Sequence, residues 1–478
     1  MFRLNRVEVQ VFAILLCSYA YFWQARDWNS ASRLMLTYAM VDRGTISIDG
    51  LEDQTHDRAF FRGRYYTDKL PGFSIIAAAP YALAKRVFGL PGHPLNAKGF
   101  ALWPADYWVT LGTSGLLSAL TGALLASLAV QLGCTLNRAA LVGLAYGLGT
   151  PAYAYATMSY GHQAAAFTLL LSFALLWKTG TTRQALRVGC AGVLAAYASV
   201  IELQMGPVSA ILGFYLLSQV IGRVRKLSTL GDFAVGAAVP TLLLLGYNQL
   251  AFGSPWDMGY FHLTTKEFAD FHSEANPLGL KGPQAARALA LLWGRHCGLL
   301  FYAPILVMVP VGLVALRVRK QRGMAIVSIA SMAAIFAVNL SYPAWTGGWS
   351  TGPRLLVPLL PFAMLPVAGL LASGEKWIGR VVFGLAILGG VLMLMFVAVG
   401  ARIPQYYLDP LVEVVWPLWT GKTVADWPGD AFARTVFSLL PGRRSVLIEK
   451  YGGLAFAPLV IAQVVAILIM KRRLAKAS

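Results

Sequence analysis

The chain has 478 residues, of which 57% are hydrophobic and 13% charged, and its mean hydropathy is +0.60. Soluble domains carry roughly a quarter charged residues, so this composition excludes a water-soluble fold and makes lipid part of the solvent. A net charge of +19 suggests nucleic acid in a soluble protein, but here the positions of the charges exclude that partner.

In chain order, the first apolar stretch is Val9 to Trp23, with no small-x-small cleavage site behind it, so it reads as a retained span. A polar loop, Ala25 to Lys69, follows. Within it, Asp27-Trp-Asn-Ser-Ala-Ser-Arg33, then apolar Leu34, Leu36, Tyr38, Ala39 and Val41, predict a helix lying along the membrane surface. Asp27 or Asn29 caps it and Gly44 stops it. Ile48-Asp49, His56-Asp57-Arg58 and Gly63-Arg-Tyr-Tyr66-Thr-Asp68-Lys69-Leu-Pro-Gly72 lead to the next apolar segment.

The later apolar stretches are Phe73 to Leu83, Tyr107 to Gln131, Ala139 to Met158, Ala164 to Trp177, Val188 to Leu203, Pro207 to Val220 and Phe233 to Leu250. After a loop, Ala251 to Cys297, come Leu299 to Leu316, Gly323 to Leu340, Leu355 to Ala372 and Val381 to Ala401. A last loop, Arg402 to Lys450, precedes Leu454 to Met470. Most approach the roughly 20 residues that cross hydrocarbon as a helix.

The short connections holding Arg3 and Arg6, Lys178 to Arg187, Arg223 to Lys226, Arg317 to Arg322, Lys376 to Arg380 and Lys471 to Lys476 carry 18 Lys or Arg against three acids. The positive-inside rule puts them in the cytoplasm, where they report topology and anionic lipid. The three long loops hold 16 acids and 17 bases and fall outside. Both termini are inside, which requires an even number of spans. Ten crossings lie outside Phe73 to Met158, so two of its three apolar stretches cross and one does not. Phe73 to Leu83 is the shortest, while Lys85 and Arg86 behind it argue for a crossing. The expectation is one all-α membrane domain, 1–478, of about twelve spans, with outer loops 25–69, 251–297 and 402–450.

An acid just after the first span, an Arg a few residues on, a Gly closing the surface helix and then Tyr-x-acid-Lys-x-Pro opening an apolar segment resemble the GT-C glycosyltransferases. The nearest flavour is the family 39 branch of protein mannosyltransferases and lipid A aminoarabinose transferases. Tyr160-Gly-His162, Gly298-Leu-Leu-Phe-Tyr-Ala-Pro304 and Trp345-Thr-Gly-Gly-Trp-Ser-Thr-Gly-Pro-Arg354 are similar to segments of bacterial relatives. The resemblance implies a GT-C helical bundle in a bacterial inner membrane, a polyprenyl-phosphate sugar donor, a glycan, lipid or protein acceptor, and a catalytic acid in the first loop, facing the periplasm. The family's acid is often an Asp-Glu pair, here Asp27-Trp28, and its Lys-Pro-Pro is here Lys69-Leu70-Pro71. Asp27 is the first choice as base, with Asp57 or Asp49 as alternatives.

The chemistry agrees with these residue types. A hydroxyl attacking an anomeric carbon needs a carboxylate to take its proton, and the departing lipid phosphate needs cations. Asp27, Asp57 and Asp68 beside Arg33, Arg58 and Lys69 supply both, with Lys69 at headgroup height. Arg354, at the outer start of a span after a Gly- and Trp-rich turn, is a further phosphate candidate, since a guanidinium matches phosphate bidentately. Each residue also has a plainer use: Asp27 as a helix cap, Lys69 as a snorkelling interface lysine, Arg354 as an anchor in an aromatic belt. Glu202, an acid within an apolar stretch, is a candidate cavity residue. His162 is a candidate for acceptor, phosphate or a divalent metal, and Asp49, Arg58 and Tyr66 complete the substrate-binding candidates. No nucleotide, dinucleotide or zincin motif occurs, and Cys17, Cys134, Cys190 and Cys297 have no metal or disulfide spacing. Two other functions compete. A secondary transporter or lipid flippase keeps its ionisable residues near the midplane in repeated halves, whereas these acids lie in outer loops. An O-antigen polymerase or ligase places its long outer loop late, whereas the long charged loop here follows the first span.

Overall fold

A computed structural model describes residues 6–97, 103–180, 183–440 and 447–475. Arg3, Lys476 and residues 441–446 of the last long loop, all used in the charge count, lie outside the described residues. The fold is a helical membrane bundle. Among the described residues, eight helices are long and apolar enough to cross a membrane, and His162–Trp177 and Pro304–Val318 are shorter apolar helices.

The first helix, α1 (Arg6–Ala20), leaves the bundle through Phe22–Trp23, which pairs antiparallel with Arg434–Thr435 of the last loop. Next, α2 (Trp28–Arg43) has the predicted ends. The Asp27 carboxylate accepts from Ser30 N, and Gly44 closes the helix at φ 63°, a left-handed conformation that suits glycine. A hairpin follows, β1 (Arg58–Phe61) with β2 (Arg64–Thr67), in register Arg58↔Thr67 and Phe61↔Arg64. Its two-residue turn has positive φ at Arg62 and Gly63, the twist that tight hairpins favour. Then come α3 (Gly72–Phe88), α4 (Pro104–Gln131), α5 (Leu136–Gly149), α6 (His162–Trp177), α7 (Gln184–Ile201), α8 (Leu203–Ile221) and α9 (Ser228–Phe252). The last five are α10 (Pro304–Val318), α11 (Arg322–Ser341), α12 (Arg354–Leu371), α13 (Lys376–Val399) and α14 (Gly452–Leu474).

The connections sort to two ends. At one, Arg319 donates to Leu132 O and Ala372 O, Arg138 to Leu371 O and Gly374 O, and Arg225 to Leu176 O. These cations hold the last-turn carbonyls of several helices, which otherwise lack partners. The first loop lies at the opposite end, where Tyr107 Oη donates to Ala20 O and Tyr197 Oη to Gly72 O. The path runs between the ends twelve times, in α1 and in α4 to α14.

The stretch that does not cross is α3. Its first residue abuts α7, where a Cβ on Gly72 would stand 2.6 Å from Val200. Its last turn stays at the same end, because Lys85 pairs with Asp42 at the close of α2 and Phe88 stacks on Trp108 at the start of α4. Lys85, one of the two basic residues that argue for a crossing in the sequence, answers a carboxylate from another helix instead. With the four natural cysteines replaced, Arg86→Cys and Asp270→Cys are therefore expected to react with an impermeant maleimide from one side of the membrane and Arg380→Cys from the other. Labelling of Arg86→Cys on the Arg380 side would overturn this path.

Candidate active site

The site begins with the short segment between α1 and α2. Gln24 donates to Val397 O and accepts from Ala401 N, so one amide ties the segment to the end of α13. Arg26 is buried against Asp106 at 3.5 Å and donates to Gln54 Oε1 at 2.6 Å, while its carbonyl accepts from Arg402. Asp106 also accepts from Tyr38 Oη. This clamp fixes where α2 starts, and so fixes Asp27. The Asp27 Oδ1 accepts from Ser30 N and Ser30 Oγ, both at 2.8 Å. Its Oδ2 accepts from Tyr160 Oη and lies 3.9 Å from Arg354 Nη1. Arg354 in turn donates to Tyr160 Oη at 3.2 Å, with its guanidinium over the Tyr160 ring.

Beside this group is a cavity of about 160 Å³, lined among others by Arg33, Asp57, Asp68, Lys69, His162, Glu202 and Arg354. Lys69 Nζ lies 2.8 Å from Asp57 and 2.6 Å from Asp68, so one ammonium serves two carboxylates. Burial alone would lower the Lys69 pKa, but Asp57 and Asp68 outweigh it and hold the ammonium above its ordinary range. The Asp57 carboxyl moves up: burial is the largest cause, and Asp68 and Asp27 add to it against the pull of Lys69. Asp68 accepts from Ser32 of α2, and a loop glycine, Gly259, packs so closely that a Cβ would meet Thr67 O at 2.7 Å.

The third group joins α6, α7 and α2. His162 Nδ1 lies 2.9 Å from the Glu202 carboxylate, Gln204 Nε2 donates to it at 2.9 Å, and Arg33 Nη2 lies 3.5 Å away. Gly161 makes this approach possible, because a Cβ there would sit 2.7 Å from Glu202 Oε1. His162 Nε2 is buried and has no hydrogen-bond partner among the described residues.

The structure thus brings Arg33, Asp57, Asp68, Lys69, His162, Glu202 and Arg354 to one cavity; Asp27 is not among its lining residues and is linked to it through Arg354, 3.9 Å from its Oδ2. It does not bring Asp49, Arg58 or Tyr66 there. Asp49 accepts from Tyr65 N at 2.7 Å, a turn contact. Arg58 is spent on Asp53 and the Glu52 carbonyl, and Tyr66 packs with Ala59, Ala251 and Phe252. Tyr160 was visible within its motif, but its bond to Asp27 spans 133 residues and no spacing announces it. Tyr260, His272 and Tyr342, also in the cavity wall, come from the second long loop and the end of α11. Among the described residues, no group of three or more His, Cys, Asp or Glu is arranged to hold a metal ion.

An apolar groove lies on the same two segments as the cavity, nearer the middle of the bundle. Arg354 and Leu355 line the cavity while Leu359 and Ala363, one and two turns on, line the groove. On α11, Tyr342 lines the cavity and Phe336, Met332 and Ile329 line the groove, which has a volume of about 490 Å³.

This helical membrane architecture is a fold shared with a solved membrane protein. The chain is similar to the crystal structure of ArnT from Cupriavidus metallidurans bound to undecaprenyl phosphate, with 14% identity, 98% of this chain and 72% of that chain covered, and a TM-score of 0.53. The apo state of the same protein is similar over 96% of this chain and 70% of that chain, with 14% identity and a TM-score of 0.49. The archaeal oligosaccharyltransferase AglB from Archaeoglobus fulgidus, in complex with an inhibitory peptide and a dolichol-phosphate, is similar over 97% of this chain and 55% of that chain, with 11% identity and a TM-score of 0.40. No protein-family model and no curated protein sequence matches the chain.

Proposed function

We propose that the chain is an inverting glycosyltransferase that moves a sugar from a polyprenyl-phosphate carrier to a glycan, lipid or protein acceptor at the periplasmic face of a bacterial inner membrane. The observation that carries this reading is a cavity of paired carboxylates and cations at one end of the bundle, with a separate apolar groove one turn further along α12. A lipid phosphate needs both halves: cations for its head and an apolar channel for its chain. ArnT, which shares the fold, is bound to undecaprenyl phosphate. A transporter reading has less support, because its ionisable groups belong near the midplane and these stand at one end.

In this reading Lys69 and Arg354 hold the carrier phosphate, and the prenyl chain follows the groove along α11 and α12. Asp57 and Asp68 keep Lys69 charged and placed. Asp27 is the base. Its Oδ1 is fixed by the α2 cap, and the Tyr160 hydroxyl on Oδ2 occupies the place that an acceptor hydroxyl would take. As the acceptor oxygen bonds to the anomeric carbon, its proton passes to Asp27 and the carbon–phosphate oxygen bond breaks. The electron pair leaves on the lipid phosphate, and a single displacement inverts the centre. Arg33, His162 and Glu202 form the part of the cavity wall that faces the sugar or the acceptor.

Mass spectrometry of the envelope of a deletion strain against its parent tests the reaction class. One glycan, lipid or protein is expected to lose the mass of one sugar, and an unchanged envelope would sink the proposal. Arg354→Leu in the purified enzyme is expected to raise KM for the carrier-linked sugar by about tenfold or more, the effect of a lost charge-assisted hydrogen bond. Unchanged donor kinetics in both Arg354→Leu and Lys69→Met would remove the phosphate site.

A further inference from the structure

We propose that His162, oriented by Glu202, is the specificity determinant of the cavity and that it recognises a substrate hydroxyl through Nε2; the proposal deepens the glycosyltransferase reading and rests on it. Nδ1 faces a carboxylate at 2.9 Å, and a carboxylate only accepts, so Nδ1 carries the proton. In a neutral ring Nε2 is then a bare lone pair. Glu202 does not need a charged ring, because Arg33 and the Gln204 amide already answer it. Neighbouring rings also hold the plane of the imidazole. It lies flat against Tyr160 at 13° and is met edge-on by Tyr155 at 79°.

His162 is 3% exposed and lines the cavity, and Nε2 has no partner among the described residues. A buried acceptor left unmatched is costly, and each instance calls for an explanation. The missing partner must be a donor. A carrier phosphate diester offers only acceptor oxygens and a prenyl chain offers neither, so the partner is a donor on the sugar or the acceptor, and a hydroxyl is the group common to both. A site that holds a substrate hydroxyl rejects the analogue lacking it far more strongly than an apolar pocket rejects a missing methylene.

The test uses the full chain in lipid nanodiscs with 15N-labelled histidine, the His162 signals being assigned by their loss in His162→Phe. A neutral ring protonated at Nδ1 is expected near neutral pH. Undecaprenyl phosphate alone should leave the Nε2 resonance in place, and one of a panel of undecaprenyl-phosphate-linked glucose, galactose and mannose should move it. Removing one hydroxyl of that sugar should abolish the shift and weaken binding by at least about 100-fold in the unaltered chain, but far less in His162→Phe. A shift that needs the acceptor found by mass spectrometry assigns the hydroxyl to the acceptor and supports the proposal equally. A ring protonated at Nε2, or a resonance that neither sugar nor acceptor moves, overturns it. A shift without any transfer leaves His162 in its role and sinks the transferase reading instead.

Discussion

Asp27→Asn is expected to slow transfer by about 100-fold or more, the usual range for a removed general base, with KM for the carrier little changed. Asparagine caps a helix as well as aspartate does, and its carbonyl still accepts from Ser30 N and Ser30 Oγ. The α2 start is also held by Arg26 and Gln24, which the substitution does not touch. The thermal unfolding temperature should therefore fall only by what Tyr160 and Arg354 lose at Oδ2, and the kinetic loss, measured on folded protein, can be read as chemistry. If Asp27→Asn stays active while Asp57→Asn is folded and dead, the base is Asp57, which lines the cavity and carries a raised pKa. Full activity in both would reopen the transporter reading.

Lys69→Met is expected to be the most damaging single change. It takes the shared cation from Asp57 and Asp68, whose side chains are only 12% and 4% exposed. Breaking a buried ion pair from one side costs about 3–5 kcal/mol, because the remaining charge has no answer. Donor use should collapse together with stability, and Lys69→Arg should recover most of the stability. The pH dependence separates this cause from simple loss of packing. Without Lys69 the Asp57 carboxyl rises further above its ordinary 3.8, so the fold gains stability by protonating it as pH falls through the raised value. The deficit against the parent should shrink as the pH is lowered from 7. A deficit that stays constant would show that Asp57 is not left uncompensated.

Much of the fold was legible because it rests on local rules. The α2 ends follow from a capping Asp27 and a left-handed Gly44, and the long spans follow from hydropathy. Lys69 and Arg354 could be named because each opens an apolar segment, and both line the cavity. The path of α3 could not be read in this way. Its 17 residues are as apolar as a span and end in Lys85 and Arg86, and only Asp42, brought near by packing, shows that the basic end stays on the site side. Asp49 and Arg58 failed as cavity residues for a related reason. The loop has backbone donors and carbonyls of its own to satisfy, and these two side chains are used there. Sequence spacing also could not pair His162 with Glu202, since the contact depends on the missing Cβ of Gly161.

The tie from Gln24 to Val397 has a consequence for biosynthesis. The two residues are 373 positions apart, and at ribosomal speeds of about 5–20 residues per second the second emerges roughly 20–75 s after the first. The strand of Phe22 and Trp23 waits longer still for Arg434 and Thr435. During that interval α1 is already in the bilayer, while the segment bearing Asp27 has neither its amide clamp nor its strand partner. A chain truncated before α13 would therefore insert and yet never assemble a site, and its loose first loop would be open to membrane quality-control proteases. Pulse-labelled truncations ending at residue 375 and residue 440 should differ sharply in the protease resistance of residues 25–69, although both contain that loop intact.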